Sequence, residues 1–236
     1  MSKSFMVVTG ANRKRGIGLA LVRAAADAGY VVVGTFRQEK NSQALLDLAA
    51  SSSSVHALRL DVACDESAAE FGEQLGLLTD SVDVLVNNAG VPAISTDILR
   101  APIEALTQQV QVHGVGVVRV TKACLTLLRK SRRSPATVVV ISSMLGAIGS
   151  VGGAYQGYAA AKTLANALTR TMASVLRPMA ISCWCVHPGW CATDIGGLGA
   201  PVRSETSASH LLRLIEQSSM SDNDTFRDYR GGAMRW

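Results

Sequence analysis

Short apolar segments rich in valine and isoleucine alternate with helical stretches along all 236 residues, and this order limits the fold more than any single motif. Phe5–Val8, Tyr30–Phe36, Val55–Leu60, Val82–Val86, Thr137–Ile141 and Ile181–Val186 read as buried strands. Ile17–Ala28, Ser42–Ala50, Glu66–Leu78, Pro102–Arg129, Tyr155–Leu176 and Ser207–Gln217 carry helical patterns. The first helix stops at Gly29 and the fifth ahead of Pro178, as helices do at glycine and before proline. Such alternation predicts an α/β fold: one doubly wound parallel sheet of the Rossmann type, with helices on both faces. No repeat or linker breaks the pattern, so residues 1–236 read as a single domain. With 48% apolar and 17% charged residues the chain can fill a core of that size.

Ligands in such sheets bind beyond the carboxyl ends of the strands. The first strand runs into TGANRKRGIG and then a helix. Glycines there let the backbone approach a pyrophosphate, which the free N–H groups of the helix start attract. Gly10, Asn12, Arg15, Gly16, Ile17 and Gly18 are the candidate cradle. A site for NAD usually carries an acid after the second strand to hold the ribose 2′-hydroxyl. Arg37 stands at that place in VVVGTFRQ, and Glu39 follows two residues later. A guanidinium pairs well with a phosphate dianion, so NADP(H) is expected over NAD(H).

The chemistry points to YAAAK. Tyr158 and Lys162 lie one helical turn apart, on one face. A cation there is expected to favour the tyrosinate and to draw the phenol pKa below its usual value near ~10. Ser143, fifteen residues earlier, is the candidate for holding a substrate oxygen; its neighbour Ser142 is the alternative. Tyr155 has Ala159 four residues on in place of a lysine and is set aside.

In order along the chain stand a TG…GIG turn, Asp61-Val62, NNAG, ISS, YAAAK and HPG followed by Thr193. With these motifs the sequence resembles the short-chain dehydrogenase/reductase family over essentially its whole length. Within it, TGAN, HPGWCATDIGG and the tail FRDYRGGAMRW look most like the C-factor and Sniffer-type carbonyl reductases. The resemblance implies reduction of a small carbonyl compound by NADPH. It makes Tyr158 the acid/base, Ser143 the orienting hydroxyl, and Lys162 a ribose ligand as well as the tyrosine's modulator. It also implies that Asp61 and Val62 flank adenine, that Asn87, Ala89 and Gly90 line the cofactor floor, and that Thr193 and the backbone of Pro188, Gly189 and Cys191 meet the nicotinamide. Association into a homodimer or homotetramer through the long helices is a further implication.

Three departures stand out. Five residues separate Gly10 from Gly16, two more than in the family's TGxxxGxG. His113 falls where many relatives carry an asparagine that holds a relay water. The segment before Tyr158 is long and glycine-rich. The first two leave room for another reading, a nucleotide-binding sensor without turnover.

The net charge of +5 raises nucleic acid as a partner, but the basic residues form no long tract and none is expected. No apolar run is long enough to span a membrane, and the N-terminus has no secretory pattern, so a soluble cytoplasmic protein is expected. The five cysteines lack zinc spacing, so neither a metal site nor disulfides are expected.

Overall fold

Seven parallel strands form the sheet in the order β3-β2-β1-β4-β5-β6-β7 in this computed structural model, which describes residues 3–93, 97–151, 153 and 155–236. The strands are β1 (Phe5–Val8), β2 (Val31–Phe36), β3 (Val55–Arg59), β4 (Val84–Asn87), β5 (Ala136–Ile141), β6 (Ile181–His187) and β7 (Phe226–Asp228). The helices are α1 (Ile17–Asp27), α2 (Gln43–Ser51), α3 (Asp65–Leu78), α4 (Ile103–Gln109), α5 (Gly116–Leu128), α6 (Gln156–Leu176) and α7 (Ser204–Gln217). The chain order reverses between β1 and β4, which leaves a crevice at the carboxyl ends of those strands.

Alternation within each strand divides the core. Met6 and Val8 of β1 pack with Leu19, Leu21, Leu211 and Ile215 on the α1–α7 side. Phe5 and Val7 pack with Phe71, Leu75, Val120 and Leu127 on the α3–α5 side. Covering both faces is what allows a parallel sheet to be apolar throughout.

Two features depart from the expected elements. β7 was not anticipated, because it has three residues and only its Phe226 is buried. Backbone pairing to β6, with Cys185 opposite Phe226, makes it a strand. The helix expected over Pro102–Arg129 is also broken. A π-helical segment, Val110–Val115, separates α4 from α5. A Cβ on Gly116 would stand 3.0 Å from the Gln111 carbonyl and 3.1 Å from that of Val62, so glycine permits this close passage. The wider turn places Val112, His113 and Gly114 inside. Such segments are frequent at functional sites.

All five cysteines are free, and burial raises the thiol pKa of Cys124, Cys183 and Cys185. Among the described residues no helix is long and apolar enough to cross a membrane, and no cluster of His, Cys, Asp or Glu is placed to hold a metal.

Candidate active site

A cleft of about 810 Å³ runs across the carboxyl ends of the strands, from the glycine-rich turn to the start of α6. Its floor is built by backbone contact. Gly10 has φ +65°, and a Cβ there would stand 2.6 Å from the Ala89 Cα. A Cβ on Gly18 would stand 2.5 Å from the Asn88 side chain. The turn after β1 and the NNAG turn after β4 therefore approach closely because Gly10 and Gly18 carry no side chain.

Thr9 and Asn88 lock these turns together. The Thr9 hydroxyl accepts from the backbone N–H groups of Asn88 (2.9 Å) and Ala89 (3.0 Å). The Asn88 amide donates to the carbonyls of Thr9 (2.8 Å) and Gly10 (3.1 Å). Asn87 lies outside the cleft lining; it is buried and its amide donates to Thr121 at 3.3 Å. Period-two alternation accounts for the exchange, since successive strand residues point to opposite faces.

The two extra residues of the turn are taken up locally. The Gly16 N–H donates to the Arg13 carbonyl at 2.8 Å, and α1 begins at the next residue. Arg13 and Lys14 thereby line the cleft, whereas Arg15 is exposed and does not. Arg13 lies 3.8 Å from Asp194 across the opening. Gly10, Asn12, Gly16, Ile17 and Gly18 line the same end, with Arg37, Gln38 and Asn41 after β2 and Asp61 and Val62 after β3. Glu39 does not line it.

At the other end stand Ser143, Tyr158, Lys162 and His113, together with Ala89, Gly90, Pro188, Gly189, Cys191 and Thr193. Tyr158, Lys162 and Asn166 lie at i, i+4 and i+8 of α6. The Lys162 ammonium donates to the Ile141 carbonyl at 2.7 Å and sits 5.7 Å from the centre of the Tyr158 ring. Asn166 accepts from Ser142 at 2.6 Å and donates to the Gly146 carbonyl at 3.0 Å, which holds the turn after β5. Ser142 also lines the cleft, but its hydroxyl is engaged by Asn166. Ser143 accepts from the Leu145 N–H at 3.2 Å and lines the cleft with Tyr158.

The electrostatics reverse the expectation for the phenol. Burial pushes the Tyr158 pKa up to about 12, and the neighbouring Ser143 hydroxyl pulls the other way. Lys162 does not lower it. Its own ammonium is weakened by burial, to about 8, and is turned to a backbone carbonyl. At neutral pH the phenol keeps its proton.

His113 is 3% exposed, and its ring meets that of Tyr158 edge to face, with centres 5.1 Å apart. Its Nε2 lies 3.1 Å from the Val91 carbonyl oxygen and 3.3 Å from the Val91 N–H nitrogen. Its Nδ1 is buried without a partner. Burial, with the nearby Lys162 charge, holds the imidazole neutral. A Cβ on Gly90 would stand 2.8 Å from the ring carbon Cε1, so the glycine of NNAG makes space for the histidine.

The short chain dehydrogenase family model matches residues 4–199. The chain belongs to the short-chain dehydrogenase family, whose members are oxidoreductases. Its relatives include C-signal of Myxococcus xanthus, 33% identical over 162 residues, covering 67% of this chain and 95% of that protein. The carbonyl reductase Sniffer of D. melanogaster is 30% identical, with a TM-score of 0.91 and full coverage of both chains. The NADPH-bound carbonyl reductase from chicken fatty liver is 27% identical, with a TM-score of 0.92 and full coverage of both. The likeness to the C-factor and Sniffer branch that the turn and tail suggested is borne out.

Proposed function

We propose that the chain is an NADP(H)-dependent carbonyl reductase. One observation carries this reading. A half-buried phenol, a serine hydroxyl and a lysine gather at one end of a cleft whose other end is a glycine-lined cradle flanked by arginines.

The cradle fits a dinucleotide. Gly10 and Gly18, which lack the side chains that would collide with Ala89 and Asn88, line the cleft beside the start of α1, where helix N–H groups suit a pyrophosphate. Arg37, Gln38 and Asn41, with Arg13 and Lys14, supply donors for a 2′-phosphate. Asp61 and Val62 flank the adenine. Ala89, Gly90, Lys162, Pro188, Gly189, Cys191 and Thr193 serve the nicotinamide half. The reduced nicotinamide supplies the hydride when bound. Ser143 then holds the carbonyl oxygen and Tyr158 gives it a proton; Ser143 stabilises the charge developing on that oxygen. Lys162 and the orphan Nδ1 of His113 resupply the proton through water. Association into a dimer or tetramer belongs to the same proposal, and sedimentation measures it.

An NADPH-consumption screen against aldehydes, ketones and quinones tests the reading. Activity should appear with at least one class. NADPH binding without turnover across the panel would favour a sensor instead.

Two variants refine it. Arg37→Asp should weaken NADPH binding by about tenfold or more, as loss of one charge-assisted contact implies, while leaving NADH binding within about twofold. Equal losses would remove Arg37 from the cofactor preference. His113→Phe keeps an aromatic ring beside Tyr158 but deletes both nitrogens. It should lower kcat by about tenfold or more, with the NADPH Kd changed far less. An unchanged kcat would restrict His113 to packing.

A further inference from the structure

We infer that Arg119, which lies outside the cleft lining, is a positioning residue for the adenosine half of the cofactor, acting through the turn that carries Asp61 and Val62. The inference rests on the dinucleotide reading of the cleft.

Asp61 and Val62 line the cleft but belong to neither β3 nor α3. Their backbone groups therefore find partners outside the sheet ladder and the helix. Asp61 is held from the α3 side: its N–H donates to Ser67 Oγ at 2.9 Å, and its Oδ1 accepts from the Ala63 N–H at 3.0 Å. Val62 is held from α5. Arg119 Nη1 donates to the Val62 carbonyl at 2.7 Å.

Gly116 makes this reach possible. It stands three residues before Arg119, on the same face of α5. A Cβ there would lie 3.1 Å from the Val62 carbonyl oxygen and 3.2 Å from Val62 Cγ2. Its absence lets α5 pass close to the turn, and Arg119 grips the same carbonyl one helical turn later.

Arg119 is itself fixed. Its side chain is 13% exposed, and its Nε pairs with the Asp65 carboxylate at the start of α3. The hydrogen bond from Arg119 holds the Asp65 carboxyl below the usual carboxylate range, so the pair stays charged at neutral pH. A guanidinium presents its donors in a rigid fork and can serve a carboxylate and a carbonyl together. A third contact, from Nη2 to Gln111 Oε1, is 3.4 Å long, beyond the usual span of an N–H···O bond. The π-helical segment that carries His113 therefore gains little from Arg119, and the effect falls on the adenosine end. Packing of α3 on α5 is already provided by Phe71, Leu75, Val120 and Cys124. What Arg119 adds is a donor to the backbone of a cleft residue, the kind of support that keeps a binding surface in one geometry.

Calorimetric titration of the purified chain with adenosine 2′,5′-bisphosphate tests this without any turnover. Arg119→Met keeps an apolar stem and removes every donor, leaving the Val62 carbonyl unpaired. The bisphosphate Kd should rise about tenfold, the scale of one charge-assisted hydrogen bond. Asp65 is 81% exposed, so Asp65→Asn spares the core and only loosens the guanidinium; a rise of about threefold is expected. Gly29→Ala, strained at a position with nothing within 4 Å, is the control for lost stability and should leave the Kd unchanged. With NADPH and a carbonyl that the screen finds reduced, Arg119→Met should raise the KM for NADPH about tenfold and leave kcat within about twofold, the signature of lost cofactor binding alone. An unchanged bisphosphate Kd in Arg119→Met, or a fall in kcat as large as the loss of affinity, would overturn the inference and reduce Arg119 to a tie between helices. If Arg119→Met does not fold, Asp65→Asn decides, and an unchanged Kd there would overturn it. No binding of the bisphosphate to the unaltered chain would instead overturn the dinucleotide reading itself.

Discussion

Tyr158→Phe is expected to reduce carbonyl turnover about a thousandfold, within the range that proton transfer by a placed side chain contributes. NADPH affinity should stay within about twofold, because the phenol oxygen is not among the cradle groups. The substitution keeps the ring that meets His113 edge to face and removes only the phenol hydroxyl. Stability should change by about 1 kcal/mol at most, the usual net worth of one hydrogen bond. Stopped-flow turnover and fluorescence titration of NADPH measure the two halves. Turnover retained within tenfold would remove Tyr158 as the proton donor.

The pH dependence gives a second measure of the same group. Burial holds Tyr158 protonated up to about 12, so it remains a donor across the neutral range. Lys162 is lowered to about 8, so its ammonium is present below that pH and lost above it. Reduction rates are therefore expected to fall as pH rises through about 8, from loss of the lysine's charge and not of the phenol's proton. A plateau extending beyond pH 10 would show that the charge on Lys162 is not needed.

The sheet was legible because its signals are local. Buried parallel strands are short apolar runs, and glycine or proline punctuates the elements between them. β7 escaped because a neighbouring backbone, not its own composition, makes it a strand. The break in the long helix was hidden for a related reason: Gly114 and Gly116 permit the wider turn, but contact with Leu164 and Val62 gives it its use. Site residues were legible by type and less so by direction. Tyr158, Lys162 and Ser143 follow from spacing on a helix and a strand end. Asn87 and Arg15 were expected in the site but lie outside the cleft, which their neighbours Asn88, Arg13 and Lys14 line instead. The phenol pKa depends on burial, to which sequence spacing is blind. Thr9 looked like an ordinary residue before the glycine turn, and only the approach of the NNAG backbone gives its hydroxyl two donors.

Gly10→Ala should be among the most damaging single changes on the cofactor side, and Gly29→Ala is its control. Both glycines have positive φ, +65° and +90°, so an alanine is strained at either. At Gly29 nothing lies within 4 Å of the added carbon, and the cost is backbone strain alone, about 1 kcal/mol. At Gly10 the added carbon would also meet the Ala89 Cα at 2.6 Å, and backbone has no rotamer with which to yield. The NNAG turn must then move away from β1, which stretches the bonds from Asn88 and Ala89 to Thr9. A cost of roughly 2–4 kcal/mol follows from strain and overpacking together. Because that same contact forms the cleft floor, NADPH affinity should drop about tenfold or more in Gly10→Ala and stay unchanged in Gly29→Ala. Denaturant melts and NADPH titrations of the two variants separate strain from collision. Matching losses of stability and unaltered affinity at both positions would mean that the two turns do not depend on contact at Gly10.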